Sequence, residues 1–443
     1  MADCWGIILT TYCFFASFFM PWGLRAALFP GRKVRYNPNM NAICLVIDRL
    51  HLGCLGAYGN SWIQTPSLDR LASQSIVFDQ AMIDSPQLEI LYRSYWQGWH
   101  AFCPTMPVDP QRSLAKLIGE AGVMTTLFSD VPQMARYPMA ADFDALVEIE
   151  PAWQASTAED VEQTHLARCF MQIIQQMESS KGQNLWWCHL GSLGTTWDAP
   201  WSFREAYAEE DDPPPPTSAD VPDQIMAADC DPDELLGMVQ SYAGQVTLLD
   251  TCLGALLEYL DGTPVGNETL LVLVSPRGFP LGEHRRVGTA DDALFSELVH
   301  VPWMMRFPEA QAAGMRSQAL IEPSDLWATL LDWWKISPPP SPTAASLLPL
   351  VREESFVPRE LLGIRGADTE RAIRTPAWYL RIAKEPELFA KPDDRWEVND
   401  VSQRCREVCD SLQDTLTQYE LTLPSGRIAD LPPLDDVLLH GLE

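Results

Sequence analysis

Asn41–Pro86 reads NAICLVIDRLHLGCLGAYGNSWIQTPSLDRLASQSIVFDQAMIDSP, and its opening run decides the fold. Ile43–Ile47 is unbroken apolar sequence rich in branched side chains, closed by Asp48. That is the pattern of a strand buried on both faces, as in a sheet covered by helices on each side. The polar group at its carboxyl end falls where ligand crevices open in α/β sheets. A glycine-rich turn follows (Gly53, Gly56, Gly59), and Thr65-Pro66 then offers a cap and a first-turn proline for a helix. Leu68, Leu71 and Ala72 share one face of that helix, and Ile76–Met82 is the next strand. Strand, loop, helix, strand predicts an α/β fold.

The alternation continues outward. Leu114–Ala121 reads as a helix and Val123–Phe128 as a strand ending at Ser129-Asp130. Val161–Met177 is helical and leads into the buried strand Leu185–Leu190. Residues 209–234 contain EEDDPPPP and further acids, which predicts an exposed acidic loop without regular structure. Leu235 to Leu256 carries apolar residues at helical spacing, stopped at Asp261-Gly262. Leu270–Val274 and Val301–Arg306 are strands, Ser324 caps a helix to Trp334, and SPPPSPT at 337–343 is a linker. Gln403–Tyr419 is a last helix. Three parts are expected: a hydrophobic leader at 1–36, an α/β domain at 40–336, and a C-terminal piece at 344–443.

Composition narrows the function classes. The 443 residues carry 31 Lys plus Arg against 60 Asp plus Glu, a formal charge of −29. Such acidity disfavours nucleic-acid backbones and anionic membrane surfaces. The 11 cysteines include no C-x-x-C, and Cys44, Cys188 and Cys252 lie inside apolar runs, which predicts reduced structural thiols. Cys405 and Cys409 are four apart with no further ligand nearby to complete a metal set. Trp5–Leu24 is uncharged and long enough for a minimal membrane span, and Arg25, Arg32, Lys33 and Arg35 follow it. Those charges predict an anchor with the domain on the cytoplasmic side. The alternative is a mis-assigned start, with a cytoplasmic protein beginning near Met40.

The strand-Asp48, L-G-x-Y-G-N, T-P-x-L-D-R-L-A and Ser85-Pro86 succession resembles, without gaps, the opening of the sulfatase family in the alkaline-phosphatase-like superfamily. The resemblance implies a large sheet flanked by helices and a small C-terminal α+β subdomain, built here from RAIRTPAWYLRIA, ELFA and RWEVND. It also implies sulfate-ester hydrolysis by a formylglycine made within C-x-P-S-R. A divalent cation, usually calcium, would be held by two adjacent Asp and a later Asp-His or Asp-Asn pair. A hard cation takes oxygen ligands and offsets charge that develops on the sulfate.

Those positions are altered. Leu88 occupies the nucleophile position, with Ile90 and Tyr92 at the motif's proline and arginine. Asp48 is the one retained cation ligand, because Arg49 replaces the second Asp and Ser275-Pro276-Arg277-Gly278 replaces S-D-H-G. Gly282-Glu283-His284 keeps the family's G-E-H, and Thr289 falls near the expected lysine. His189 is kept, while Gly194 stands at the acid histidine. These replacements predict a pseudosulfatase acting as a binding or scaffold protein, with no cofactor. The alternative is a sulfuric ester or phosphoester hydrolase with a non-standard site, and in that case calcium.

Arg49 and Arg277 beside Asp48 predict either a salt-bridge cluster or, with His189 and His284, an anion site. Drifted arginines around a solvent-filled cleft are the bland alternative. His51 reads as a loop histidine, and Glu89 with His284 as a remote acid/base option. Trp96, Trp99, Trp186, Trp187 and Trp197 serve as core or as a sugar-stacking surface. A sulfated ligand or an active sulfatase homologue is the expected partner, and no nucleic acid.

Overall fold

In the computed structural model, which describes residues 40–103, 109–151, 154–291, 293–426 and 428–442, β1 (Asn41–Ile47) is buried along its whole length. The other strands are β2 (Ile76–Ala81), β3 (Met124–Ser129), β4 (Ala145–Glu148), β5 (Asn184–Leu190), β6 (Gln224–Ile225) and β7 (Thr269–Val274). They continue as β8 (Arg286–Val287), β9 (Trp303–Arg306), β10 (Met315–Ile321), β11 (Leu362–Arg365), β12 (Arg371–Arg374), β13 (Trp378–Ile382) and β14 (Pro386–Ala390). The longer helices are α1 (Pro66–Ser73), α2 (Leu88–Gln97), α3 (Leu114–Glu120), α4 (His165–Ser179), α5 (Pro232–Gly262), α6 (Pro323–Trp333) and α7 (Arg406–Thr422).

Eight strands form one mixed sheet in the order β10-β2-β9-β7-β1-β5-β3-β4. β1 runs parallel to both neighbours, β5 and β7, while β9 is antiparallel to β7 and β2. The unbroken apolar run of β1 follows from burial on two faces. Ala42, Cys44 and Val46 pack with Leu91, Ile118 and Leu326 of α2, α3 and α6. Ile43, Leu45 and Ile47 pack with Leu71, Ile173 and Leu253 of α1, α4 and α5. A four-stranded antiparallel sheet, β11-β12-β13-β14, is covered by α7 through Ile373, Leu380, Val408 and Leu412. The α/β fold with its small C-terminal sheet is therefore observed.

Several local expectations change. The expected strand Ile76–Met82 is observed as β2 (Ile76–Ala81), separated from β1 in the sheet by β9 and β7. RWEVND is a turn rather than a strand of the small sheet. Within the acidic loop, Gln224–Ile225 pairs with β8, and α5 begins at Pro232. Ser324 does not cap α6: Glu322 is the cap, in a reciprocal capping box with Asp325. The 337–343 segment is docked, with Ser341 Oγ donating to Gly98 O at 2.7 Å and Arg112 Nη1 to Pro340 O at 2.7 Å. The nine described cysteines are all free, in line with structural thiols. No described helix is long and apolar enough to cross a membrane; the 5–24 anchor expectation lies outside the described residues.

Thr65 stands at the cap position of α1 without making the capping bond. Its hydroxyl accepts from Gly56 N at 3.3 Å instead. The open N–H groups of α1 are met from across the core. Asp250 on α5 accepts from Ser67 N at 3.1 Å and Leu68 N at 2.8 Å. That carboxylate fixes α1 against α5 and, with it, the loop leaving Asp48. Asp250→Ala leaves two first-turn N–H groups unmet, that of Leu68 buried and that of Ser67 half-buried, and is expected to cost about 1–3 kcal/mol in urea unfolding, Asp250→Asn less.

Candidate functional site

The centre of the site is built by chain ends that leave β1, β5 and β7 side by side. Asp48 follows β1 directly and its N–H donates to Leu190 O at 2.8 Å, at the end of β5. Arg277 lies three residues beyond β7. Its Nε donates to Asp48 Oδ1 at 3.1 Å and its Nη2 to Asp48 Oδ2, a two-pronged grip on one carboxylate. Nη1 of the same guanidinium donates to Asp291 Oδ2 at 2.7 Å. Arg49 Nη1 lies 2.8 Å from the other oxygen of Asp291, an ion pair without hydrogen-bond alignment, and its Nη2 donates to Thr289 O at 2.8 Å. Asp48, Arg277, Asp291 and Arg49 thus form one chain of ion pairs of zero formal charge. The side chains of Asp48 and Arg49 are nearly inaccessible, at 5% and 3% exposed, and Asp291 is the open corner at 25%.

Arg49 takes a left-handed backbone, φ 67°. That conformation is costly for a residue with a side chain, so the surroundings must hold it. They do: Arg49 N donates to Arg277 O at 2.9 Å, and Tyr242 OH donates to Arg49 O at 2.6 Å. Tyr242 OH also accepts from His51 N at 2.8 Å. The Arg49 side chain then runs over Gly194. A Cβ on residue 194 would stand 2.8 Å from Arg49 Cγ, so glycine there leaves the space that arginine fills.

Burial pushes the Asp48 carboxyl up, but the charge and hydrogen bonds of Arg277, aided by Arg49, bring it down from 3.8 to about 2. His189 is adjacent and fully buried. Its Nδ1 shares a hydrogen bond with Tyr92 OH at 2.5 Å, and its Nε2 has no partner. Burial holds the imidazole below its usual pKa against the pull of Asp48 and Asp130, which leaves it neutral.

The structure separates the other expected members. His284 is bound to Glu297 Oε1 at 2.8 Å and Glu397 O at 3.1 Å and stacks on Phe295, so it joins neither the arginines nor Glu89. His51 contacts Glu283 at 3.1 Å. Leu88 opens α2 and packs against the core, and Tyr92 turns inward onto His189. Trp186 and Trp187 lie on opposite faces of β5, and Trp96 and Trp197 are also buried, so these four are core. Trp99 is covered by the Arg112 guanidinium at 4.1 Å. Asp291 is the site residue the sequence reading missed, and Tyr92 was named only as the replacement of the motif's arginine, not as the partner of His189. A signal for Asp291 existed, since two buried arginines beside one Asp48 demand a second carboxylate.

A large mixed sheet flanked by helices and joined to a small antiparallel sheet is the fold of solved sulfatase structures such as a 2-O glycosaminoglycan sulfatase, TM-score 0.69 at 16% identity. The phosphonate monoester hydrolase of Agrobacterium radiobacter superposes with a TM-score of 0.70 at 15% identity, covering 88% of this chain and 96% of that one. The Sulfatase family model matches residues 40–336, and the chain belongs to that family. A multifunctional alkaline phosphatase superfamily protein of Trinickia caryophylli is 30% identical over 127 residues, 28% of this chain. The N-acetylglucosamine-6-O-sulfatase of Bacteroides thetaiotaomicron is 32% identical over 123 residues, also 28% of this chain. These alignments span only 24% and 22% of those relatives. Human iduronate 2-sulfatase is 22% identical over 423 residues, 80% of this chain and 74% of that protein.

Removing Arg277 strands Asp48 as a buried charge. Arg277→Ala is expected to cost about 3–5 kcal/mol in denaturant unfolding, with part regained by adding Asp48→Asn. Because the folded pKa of Asp48 lies below its unfolded value, the stability it contributes is full above about pH 4 and is lost as pH falls towards 2. The slope of unfolding free energy against pH in that window, in wild type and Asp48→Asn, measures it.

Proposed function

We propose that this chain is a non-hydrolytic member of the Sulfatase family, a binding or scaffold protein whose charged centre is satisfied from within. The observation that carries this reading is the two-pronged Arg277–Asp48 pair. Both oxygens of the one carboxylate expected to hold a cation are engaged by a guanidinium. Arg49 adds a second positive group where the resemblance implies another carboxylate. A divalent cation does not fit this donor set, so no catalytic step is routed through one.

The residues for ester cleavage point the same way. Leu88 offers neither an oxidisable thiol nor a hydroxyl, and Gly194 offers no acid. His189 is neutral and held by Tyr92. An anion site built from Arg49, Arg277, His189 and His284 has weaker support, because both guanidinium groups already face carboxylates and His284 is engaged elsewhere. On this reading the contacts with a partner lie on the surface rather than in the cleft.

A hydrolase is the second reading, favoured by family membership and by relatives named as sulfatases and as a phosphonate monoester hydrolase. One experiment separates the two. The full-length chain is titrated calorimetrically with calcium and then sulfate, and assayed on an aryl sulfate and an aryl phosphonate monoester with and without calcium. No calcium heat, no sulfate heat and no turnover are expected. Calcium-dependent turnover would overturn the non-hydrolytic reading and restore the hydrolase.

Gly194→Ala offers an independent check on the filled centre. It is expected to cost about 1–3 kcal/mol alone and much less beside Arg49→Ala, as measured by a double-mutant cycle.

A further inference from the structure

Three metal-ligating side chains converge where β3 ends and α4 begins. Asp130 Oδ2 lies 3.0 Å from His165 Nε2, and Cys169 Sγ lies 3.6 Å from the same nitrogen. The three donor atoms are all within 4.8 Å of one another, and all three residues are buried. His165 and Cys169 are four apart on α4, so one helix face presents both. Asp130 is aimed by its other oxygen, which accepts from Gly191 N at 2.7 Å.

A second observation points to a ligand. Asp198 is fully buried; its Oδ2 accepts from His165 N at 2.6 Å, while its Oδ1 has no partner. Neither Asp130 nor Asp198 makes an ion pair with Lys or Arg among the described residues, although Arg204 lies within electrostatic reach of Asp198. An unmet buried carboxylate oxygen is expensive unless a proton donor or cation faces it.

We propose that Asp130, His165 and Cys169 form a three-ligand zinc site. Zinc takes nitrogen at about 2.0 Å and thiolate at about 2.3 Å in a tetrahedron, which sets neighbouring donors about 3.2–3.7 Å apart. The observed spacings of 3.0 and 3.6 Å lie close to that range. Thiolate and imidazole with one carboxylate select zinc over calcium, which wants oxygen alone. Binding releases the Cys169 thiol proton to solvent, and His165 coordinates through Nε2 with its proton on Nδ1. One thiolate and one carboxylate then neutralise the ion. A water would complete the tetrahedron, and Asp198, held on the His165 N–H, lies within electrostatic reach of Cys169. The ion ties the end of β3 to α4 and, through Gly191, to the loop bearing Gly194.

The test uses the full-length chain purified from zinc-supplemented cells without chelator. About one equivalent of zinc is expected by mass spectrometry of the desalted protein, with a lowered Tm after stripping and recovery on adding zinc but not calcium. Cobalt loaded into the stripped protein is expected to give a thiolate-to-metal charge-transfer band and intense tetrahedral d–d bands. Cys169→Ser removes the charge-transfer band and Cys252→Ser keeps it. Should Cys169→Ser fail to fold, the wild-type cobalt spectrum decides by itself. Absence of retained zinc with no Tm response, a pale octahedral cobalt spectrum, or a charge-transfer band that survives in Cys169→Ser would each overturn the site.

Discussion

The bidentate pairing of Arg277 with Asp48 is the constraint around which the centre of this protein is arranged. β1 is buried on both faces and delivers Asp48 into the interior, where a lone carboxylate is costly. In a site built for a cation, the ion meets that charge. Here an arginine three residues past the neighbouring strand meets it. Its planar fork matches the carboxylate better than a lysine could. One guanidinium has more donors than one carboxylate can take, so Arg277 reaches on to Asp291. Asp291 in turn holds Arg49, whose left-handed backbone is fixed by Arg277 O and Tyr242. Each member is explained by the valence its neighbour leaves open.

The sheet's centre was legible because burial on two faces leaves an unbroken apolar run, and β1, β5 and β7 all carry one. The order of strands was not. β2 follows β1 with only α1 between them, yet β9 and β7 stand between the two in space. Nothing in a local pattern states which edge a strand joins. Caps were half legible for the same reason. Thr65 and Ser324 have the right chemistry at about the right place, but Asp250 and Glu322 do the work. Asp250 is remote in sequence, and glutamate is a less common cap than serine.

The site was legible in its identities and not in its partners. Register against the family singled out Arg49 and Arg277 beside Asp48, and the structure brings the three into one cluster. Pairing depends on what the 288–291 loop brings over, and Asp291 sits in a stretch with no periodicity to read. His284 shows the opposite failure. It stands in an intact G-E-H triplet beside the altered positions, yet Phe295, Glu297 and the Glu397 carbonyl engage it fully. Proximity in the motif did not become proximity at the centre.

A centre held by arginines differs thermodynamically from one held by an ion. A carboxylate cluster that binds a cation is stabilised only to the extent that the cation is present, by mass action. A guanidinium carried on the chain has no such dependence. It cannot leave, and neither can it make room for a substrate oxygen as an ion's coordination sphere does. Arg49 makes the point in volume as well, since its methylenes occupy the space in which a side chain at 194 would stand. The glycine and the arginine are complementary halves of one packing solution. Changing Arg49 to aspartate alone would vacate that space and set a second negative charge beside Asp48 and Asp291. Building an ion-binding centre into this arrangement would therefore require several substitutions at once, because each single change leaves a buried charge or a gap.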